Sequence, residues 1–170
     1  MQPPRYDTSE LAYRAFVRAS GLFRHTMDGH FARFGISGAQ WGVLRALQRA
    51  EGEGLTGLRL TDLGRRLWVR PPSMTGLIDR LERCGLVARR AAEDRRAKRI
   101  ELTPRGRRLV VRAAKDHRTQ VHAVMAGLDG PEQRQLGRLM ERLAAHLESR
   151  RGDSGLSKDV RRSPGKRRKT

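Results

Sequence analysis

The stretch from Leu58 to Gly106 leaves this chain little choice of fold. Leu58-Arg59-Leu60 is apolar–basic–apolar, the pattern of a very short strand. Thr61 then caps a short helix over DLGRRLWV, with Leu63, Leu67 and Trp68 turned inward. A second helix opens at Pro71-Pro72, where first-turn amides have no intrahelical partner to lose. It runs to Cys84 and is closed by Gly85. Met74, Leu77, Ile78 and Leu81 fall in one sector of it; Pro72, Gly76, Asp79, Arg80 and Arg83 fall in the opposite sector, flanked by Ser73 and Thr75. Leu86–Arg90 and Arg99–Leu102 alternate as paired strands do, with the charged or small residues Ala91–Lys98 as a long tip between them. Helix, helix and arginine-tipped hairpin follow one another with almost no spare residues.

Longer helices flank this unit. Thr8 or Ser9 caps the first, whose stripe is Ala12, Phe16, Ala19, Phe23, Met27, Phe31 and Phe34, and Gly35 ends it. Ser37 and Gln40 form a capping-box pair for a helix carrying Trp41, Val43, Leu44 and Leu47, followed by a glycine-rich loop over Glu51–Gly57. Thr103-Pro104 starts a helix with Leu109, Ala113, His117, Val121, Val124 and Leu128 on one stripe. Asp129 and Glu132 cap the last, with Leu136, Leu139, Met140, Leu143 and Leu147. After Arg151 the apolar pattern stops. Residues 150–170 read as a disordered basic tail, and residues 1–7 as a short arm. The fold class is mainly α with a small β-wing. Apolar stripes at both ends of the chain exceed what a lobe of about fifty residues can cover, which calls for a second copy of the chain.

The charge balance names the class of partner. Lys and Arg number 37 against 18 Asp and Glu, a formal +19. Residues 150–170 hold nine basic and two acidic side chains, a net +7, which leaves +12 on the rest. Such an excess points to a polyanion, nucleic acid before an acidic membrane surface. One cysteine excludes an intrachain disulfide and a Cys-rich zinc site. No apolar run approaches the length of a membrane span, and MQPPRYDTSEL lacks the apolar core of a secretory signal, so a cytoplasmic, nucleoid-associated protein is expected. His25 and His30, like His117 and His122, are five apart and share no helix face for metal. No phosphate loop or nucleophile–base spacing is present; no cofactor and no catalysis are expected.

QWGVLRAL, LRLTDLGRRL, PPSMTGLIDRLERCGLV and Asp94-Arg95-Arg96 leading into IELTPRG, in this order, resemble the multiple antibiotic resistance regulator (MarR) family of winged helix-turn-helix proteins. The resemblance covers residues 9–149 and is most specific from Leu58 to Gly106. It implies a winged helix-turn-helix domain over 8–149. The DNA-binding lobe would be 37–102, and the dimerisation helices 8–35 and 103–149. It further implies a homodimer that binds pseudo-palindromic operators, as a repressor more than an activator.

The helix over residues 71–84 is then the candidate reader. Ser73 and Thr75 can bond base edges or phosphates, Pro72 offers methylene surface to thymine, and Gly76 leaves room. Met74 could do the same if exposed, but belongs to the apolar stripe. Arg80 and Arg83 lie further along and suit phosphates. Many relatives carry serine and arginine where this chain has Arg70 and Pro71; the resemblance implies that Arg70 takes over the arginine's contact. In the wing, the resemblance implies that Asp94 buttresses the tip while Arg96 enters a minor groove; Arg95, Lys98 and Arg99 fit phosphates. Arg89 and Arg90 are as readily surface charges as contacts. A small aromatic or anionic effector would occupy a cleft lined by Phe16, Phe23, Arg24, His25 and Trp41, residues that read equally as plain core. Cys84 reads as a small buried filler. The alternative function is an architectural, nucleoid-type protein of low sequence preference.

Overall fold

The computed structural model describes residues 7–91 and 98–159, with side chains to Arg150. Six helices and three strands occur there: α1 (Thr8–Ala32), α2 (Gly38–Gly52), β1 (Leu58–Arg59), α3 (Leu60–Leu67), α4 (Pro71–Arg83), β2 (Val87–Ala91), β3 (Lys98–Leu102), α5 (Pro104–Met125) and α6 (Gly130–Asp159). The chain divides into two units, one up to Val124 and one from Met125 on.

Most helix boundaries follow from their caps. The Ser37–Gln40 capping box closes in both directions: Gln40 N–H donates to Ser37 Oγ and Ser37 N–H to Gln40 Oε1. Thr103 starts α5 by accepting from Gly106 N–H at 3.0 Å while its hydroxyl donates to Gly85 O at 2.7 Å. Asp129 and Glu132 cap α6 reciprocally. Two caps differ from expectation. Asp7, not Thr8 or Ser9, takes the Glu10 amide at 2.8 Å, because a carboxylate is also favoured at the positive end of a helix. Thr61 lies inside α3, whose cap position is Arg59 with no side-chain bond; β1 pairing carries the backbone straight into the helix at Leu60. The α2 helix runs to Gly52, shortening the expected loop. The backbone of α6 stays helical to Asp159, past the point where the apolar pattern ends.

The sheet is antiparallel in the order β1-β3-β2. Leu58 faces Ile100 across one edge of β3, and Val87 faces Leu102 across the other. Behind it, Val43, Leu44 and Leu47 of α2, Leu63 of α3, and Met74, Ile78 and Leu81 of α4 are sealed from solvent together with Val110 and Ala113 of α5. Each such side chain contributes about 1.5–3 kcal/mol by leaving water. The C-terminal part of α1 joins this core through Met27 and Phe31. Met74 is wholly buried, which settles it as core.

Two residues depart from their expected burial. Trp68 was assigned to the inward face of α3 by spacing, yet it is 57% exposed. The helix ends at Leu67, and Trp68 adopts φ 55° and ψ 30°, a left-handed cap that throws its side chain off the helical stripe. Cys84, expected as a buried filler, is exposed, because α4 stops at Arg83 and Cys84 is its C-cap ahead of Gly85 at φ +66°.

The unit from Met125 on is α6 with the turn before it. Gln133 Nε2 donates to Met125 O and Leu128 O, fixing that turn. Leu139, Met140, Leu143 and Leu147 stay exposed, as do Leu11, Tyr13, Phe16, Val17, Leu22 and Phe23 on α1 in the first unit.

Candidate nucleic-acid interface and a basic cavity

The α3–turn–α4 segment presents one exposed face: Arg70, Pro71, Pro72, Ser73, Thr75, Arg80 and Arg83 are all solvent-facing, with Gly76 half-buried among them. Burial of Met74, Leu77, Ile78 and Leu81 fixes which way that face points. Thr75 hydroxyl donates to Pro71 O at 3.1 Å, which leaves its oxygen as an acceptor. Arg80 Nε donates to Gly76 O at 3.2 Å, laying the guanidinium along the helix. A Cβ on Gly76 would meet nothing within 4 Å, so no packing inside the chain requires glycine there.

Arg89 of β2 ties the sheet to this helix. Its guanidinium pairs with both Asp79 and Glu82 of α4, and its backbone N–H donates to Glu82 Oε1 at 3.2 Å. Hydrogen bonding to Asp79 holds its proton more firmly than in a free arginine. Arg89 is therefore a strut between wing and helix. Lys98 is exposed at the start of β3, while Arg99 bonds Thr56 Oγ1 at 3.3 Å. Asp94, Arg95 and Arg96 lie outside the described residues.

A cavity of about 550 Å³ opens between α2, α3 and α5, lined by Trp41, Gly42, Arg45, Ala46, Arg49, Glu53, Arg66, Leu67 and His117. Arg45 stands 5.6 Å from the Trp41 ring centre, a cation–π geometry, and also bonds Gln48. Arg66 bonds Glu53 at 2.9 and 3.2 Å, which lowers the carboxyl's proton affinity and leaves Arg45 and Arg49 as the surplus positive charge. Trp41 and His117 of the lining cluster with Phe31, the three ring centres 5.2–5.4 Å apart.

His30 joins this ring cluster, its centre 6.1 Å from that of His117. Arg33 donates to His30 Nδ1 at 2.8 Å, so the neutral ring carries its proton on Nε2, a buried nitrogen with no partner among the described residues. His117 Nδ1 is likewise buried and unpaired there. Burial, reinforced by Arg33, lowers the His30 pKa against an opposing pull from Asp116; burial, then His30 and Arg45, lowers that of His117.

Of the residues expected to line a ligand cleft, Trp41 lines this cavity. Phe16, Phe23, Arg24 and His25 lie exposed on α1, away from these walls. Arg45, Arg49, Arg66 and His117 share the cavity with Trp41 and were not among the expected residues. Trp41, Arg45 and Arg49 recur at four-residue spacing and so share a helix face, a signal present in the sequence. Nothing in the sequence joins Arg66 and His117 to them.

Among the described residues no helix is long and apolar enough to cross a membrane. Residues 34–97 match the model of the MarR family. The chain is 34% identical over 130 residues to the HTH-type transcriptional repressor YetL of Bacillus subtilis, covering 74% of this chain and 76% of YetL. It is 30% identical over 140 residues to the HTH-type transcriptional repressor Rv2887 of Mycobacterium tuberculosis, covering 82% and 96%. A crystal structure of Rv2887 with salicylic acid superposes with a TM-score of 0.60 at 29% identity, covering 82% of this chain and 97% of that one. Sco3205, a MarR family transcriptional regulator from Streptomyces coelicolor in complex with DNA, reaches 0.74 at 27% identity, covering 86% and 93%. An exposed polar-to-basic helix strutted to a three-stranded wing, in a chain this similar to such regulators over most of its length, places the protein in the MarR family of winged helix-turn-helix transcriptional regulators.

Proposed function

We propose that this protein is a homodimeric transcriptional repressor that binds pseudo-palindromic double-stranded DNA and works by binding, not catalysis. The observation that carries the reading is the solvent-facing side of α4, polar and small at Ser73, Thr75 and Gly76 and cationic at Arg80 and Arg83, on a chain of net charge +19. In this reading Ser73 and Thr75 address base edges and Pro72 a thymine methyl. Arg70, Arg80, Arg83 and Lys98 hold phosphates, Arg95 and Arg96 act from the wing tip, and Asp94 supports it. The DNA complex of Sco3205 supports the same use of the fold here. Two readers related by a dyad would meet half-sites about one helical turn apart, about 10 bp. Selection of duplexes from a randomised pool tests this. A recovered inverted repeat, bound about a thousandfold or more tighter than random DNA, is the expected result. Equal affinity for every duplex would instead make the protein an architectural, nucleoid-type coat.

The basic cavity is the effector site in this reading. Trp41 offers a ring face, Arg45 and Arg49 take a carboxylate, and His117 supplies a hydrogen-bonding nitrogen, a set that fits a small aromatic acid. The salicylic acid complex of Rv2887 supports that class of ligand. Salicylate is the probe: it should quench Trp41 emission and release the selected duplex, and Arg45→Ala should weaken both responses together. Release without any change at Trp41 would place the effector elsewhere.

A further inference from the structure

The turn between α3 and α4 holds a tryptophan in a conformation and a setting that the core does not require. Trp68 is the single non-glycine residue with positive φ among the described residues. Glycine is the unstrained residue in that region, because a Cβ crowds the following carbonyl. The side chain recovers little by burial, since it is 57% exposed. Exposed large aromatics on strained backbone mark surfaces that are covered by something else. The next residues share its character: Pro71 and Pro72 are exposed and have no N–H, so α4 opens without donors until Ser73. The approach to the helix is therefore an apolar lip with one cation, Arg70, in it.

We propose that Trp68 is a DNA-contact residue whose indole packs on deoxyribose at the wall of the major groove as α4 is seated. The proposal rests on α4 being the reader helix. When the first turn of such a helix reaches base edges, the turn before it lies at the groove's rim, where sugar and phosphate are within reach. The indole suits that wall, its exposed face covering the sugar. Arg70 then supplies charge beside it. The contact contributes affinity that salt does not screen, complementing the arginines.

The test uses the full chain and a duplex selected by the wild-type protein from a randomised pool. Trp68→Gly should melt close to wild type, since relief of the left-handed strain offsets the indole's own contacts within the chain. It should bind the duplex about tenfold or more weakly. The slope of log affinity against log salt should not change, because no phosphate-neutralising charge is lost. Trp68→Phe should recover part of the loss. Of the two tryptophans, Trp41 is buried, so acrylamide quenching reads chiefly Trp68; the duplex should shield it, and that shielding should vanish in Trp68→Phe. Binding by Trp68→Gly within about twofold of wild type, an indole as accessible in the complex as free, or a weaker affinity matched by a lowered melting temperature would each overturn the proposal while α4 kept its role. A wild-type protein that selects no duplex would overturn both.

Discussion

At the scale of single residues, two glycines make opposite demands. Gly76 stands in the interior of α4, where glycine costs about 1 kcal/mol against alanine. A Cβ there meets empty space. Gly76→Ala should therefore raise the melting temperature by a few degrees while weakening duplex binding, read by thermal melts and titration on one preparation. Gly106 is required by packing: an added Cβ would lie 2.1 Å from Leu86 O, a backbone atom that cannot swing aside. Gly106→Ala should cost more than about 3 kcal/mol, visible as a large fall in the denaturant midpoint. The histidines contribute to the acid sensitivity of the fold. Burial keeps His30 and His117 below the ordinary value of 6.5, so the unfolded chain binds more protons than the native state as pH falls through that value. Stability is thus complete above it and declines below it, by up to about 1.4 kcal/mol per pH unit for each ring. His117→Gln should flatten that decline in melts recorded between about pH 5 and 7.5; an unchanged profile would assign it to other groups. None of this was legible from spacing, because burial of a ring nitrogen depends on elements far apart in sequence.

Among the elements, α4 and the sheet act together through Arg89. Its ties to Asp79 and Glu82 hold β2 against α4, and the pairs are partly shielded from water. Arg89→Gln should change the melting temperature little, as surface ion pairs contribute about 0–1 kcal/mol. It should weaken duplex binding more than Arg90→Gln does, since the wing would lose its fixed angle; equal effects would reduce Arg89 to a surface charge. The sequence placed these elements well where local chemistry decides: the Ser37–Gln40 box, the prolines opening α4, Thr103 and the Asp129–Glu132 pair. It failed where a neighbour decides. Thr61 loses the cap of α3 because β1 is paired to β3 up to Arg59. Trp68 leaves its stripe because α3 ends at Leu67, and Cys84 is exposed because α4 ends at Arg83 and leaves it as the cap.

For the whole molecule, the exposed apolar residues of α1 and α6 call for a second chain. Leu143→Glu removes apolar burial twice in a symmetric pair, about 2 kcal/mol each, enough to weaken association about a thousandfold. Sedimentation should then show monomer at concentrations where the wild type is dimeric; an unaltered dimer would move the interface away from that face of α6. The sequence by itself determined the order of elements, the buried side of α4 and the polyanionic partner, because periodicity, caps and net charge are properties of neighbouring residues and of sums. The tertiary structure alone decided that Arg89 is a strut while Arg80 and Arg83 stay solvent-facing, and it assembled the Trp41–Arg45–His117 cavity. Pairing and enclosure depend on distances across the fold, and those exist only once α2, α3 and α5 have packed.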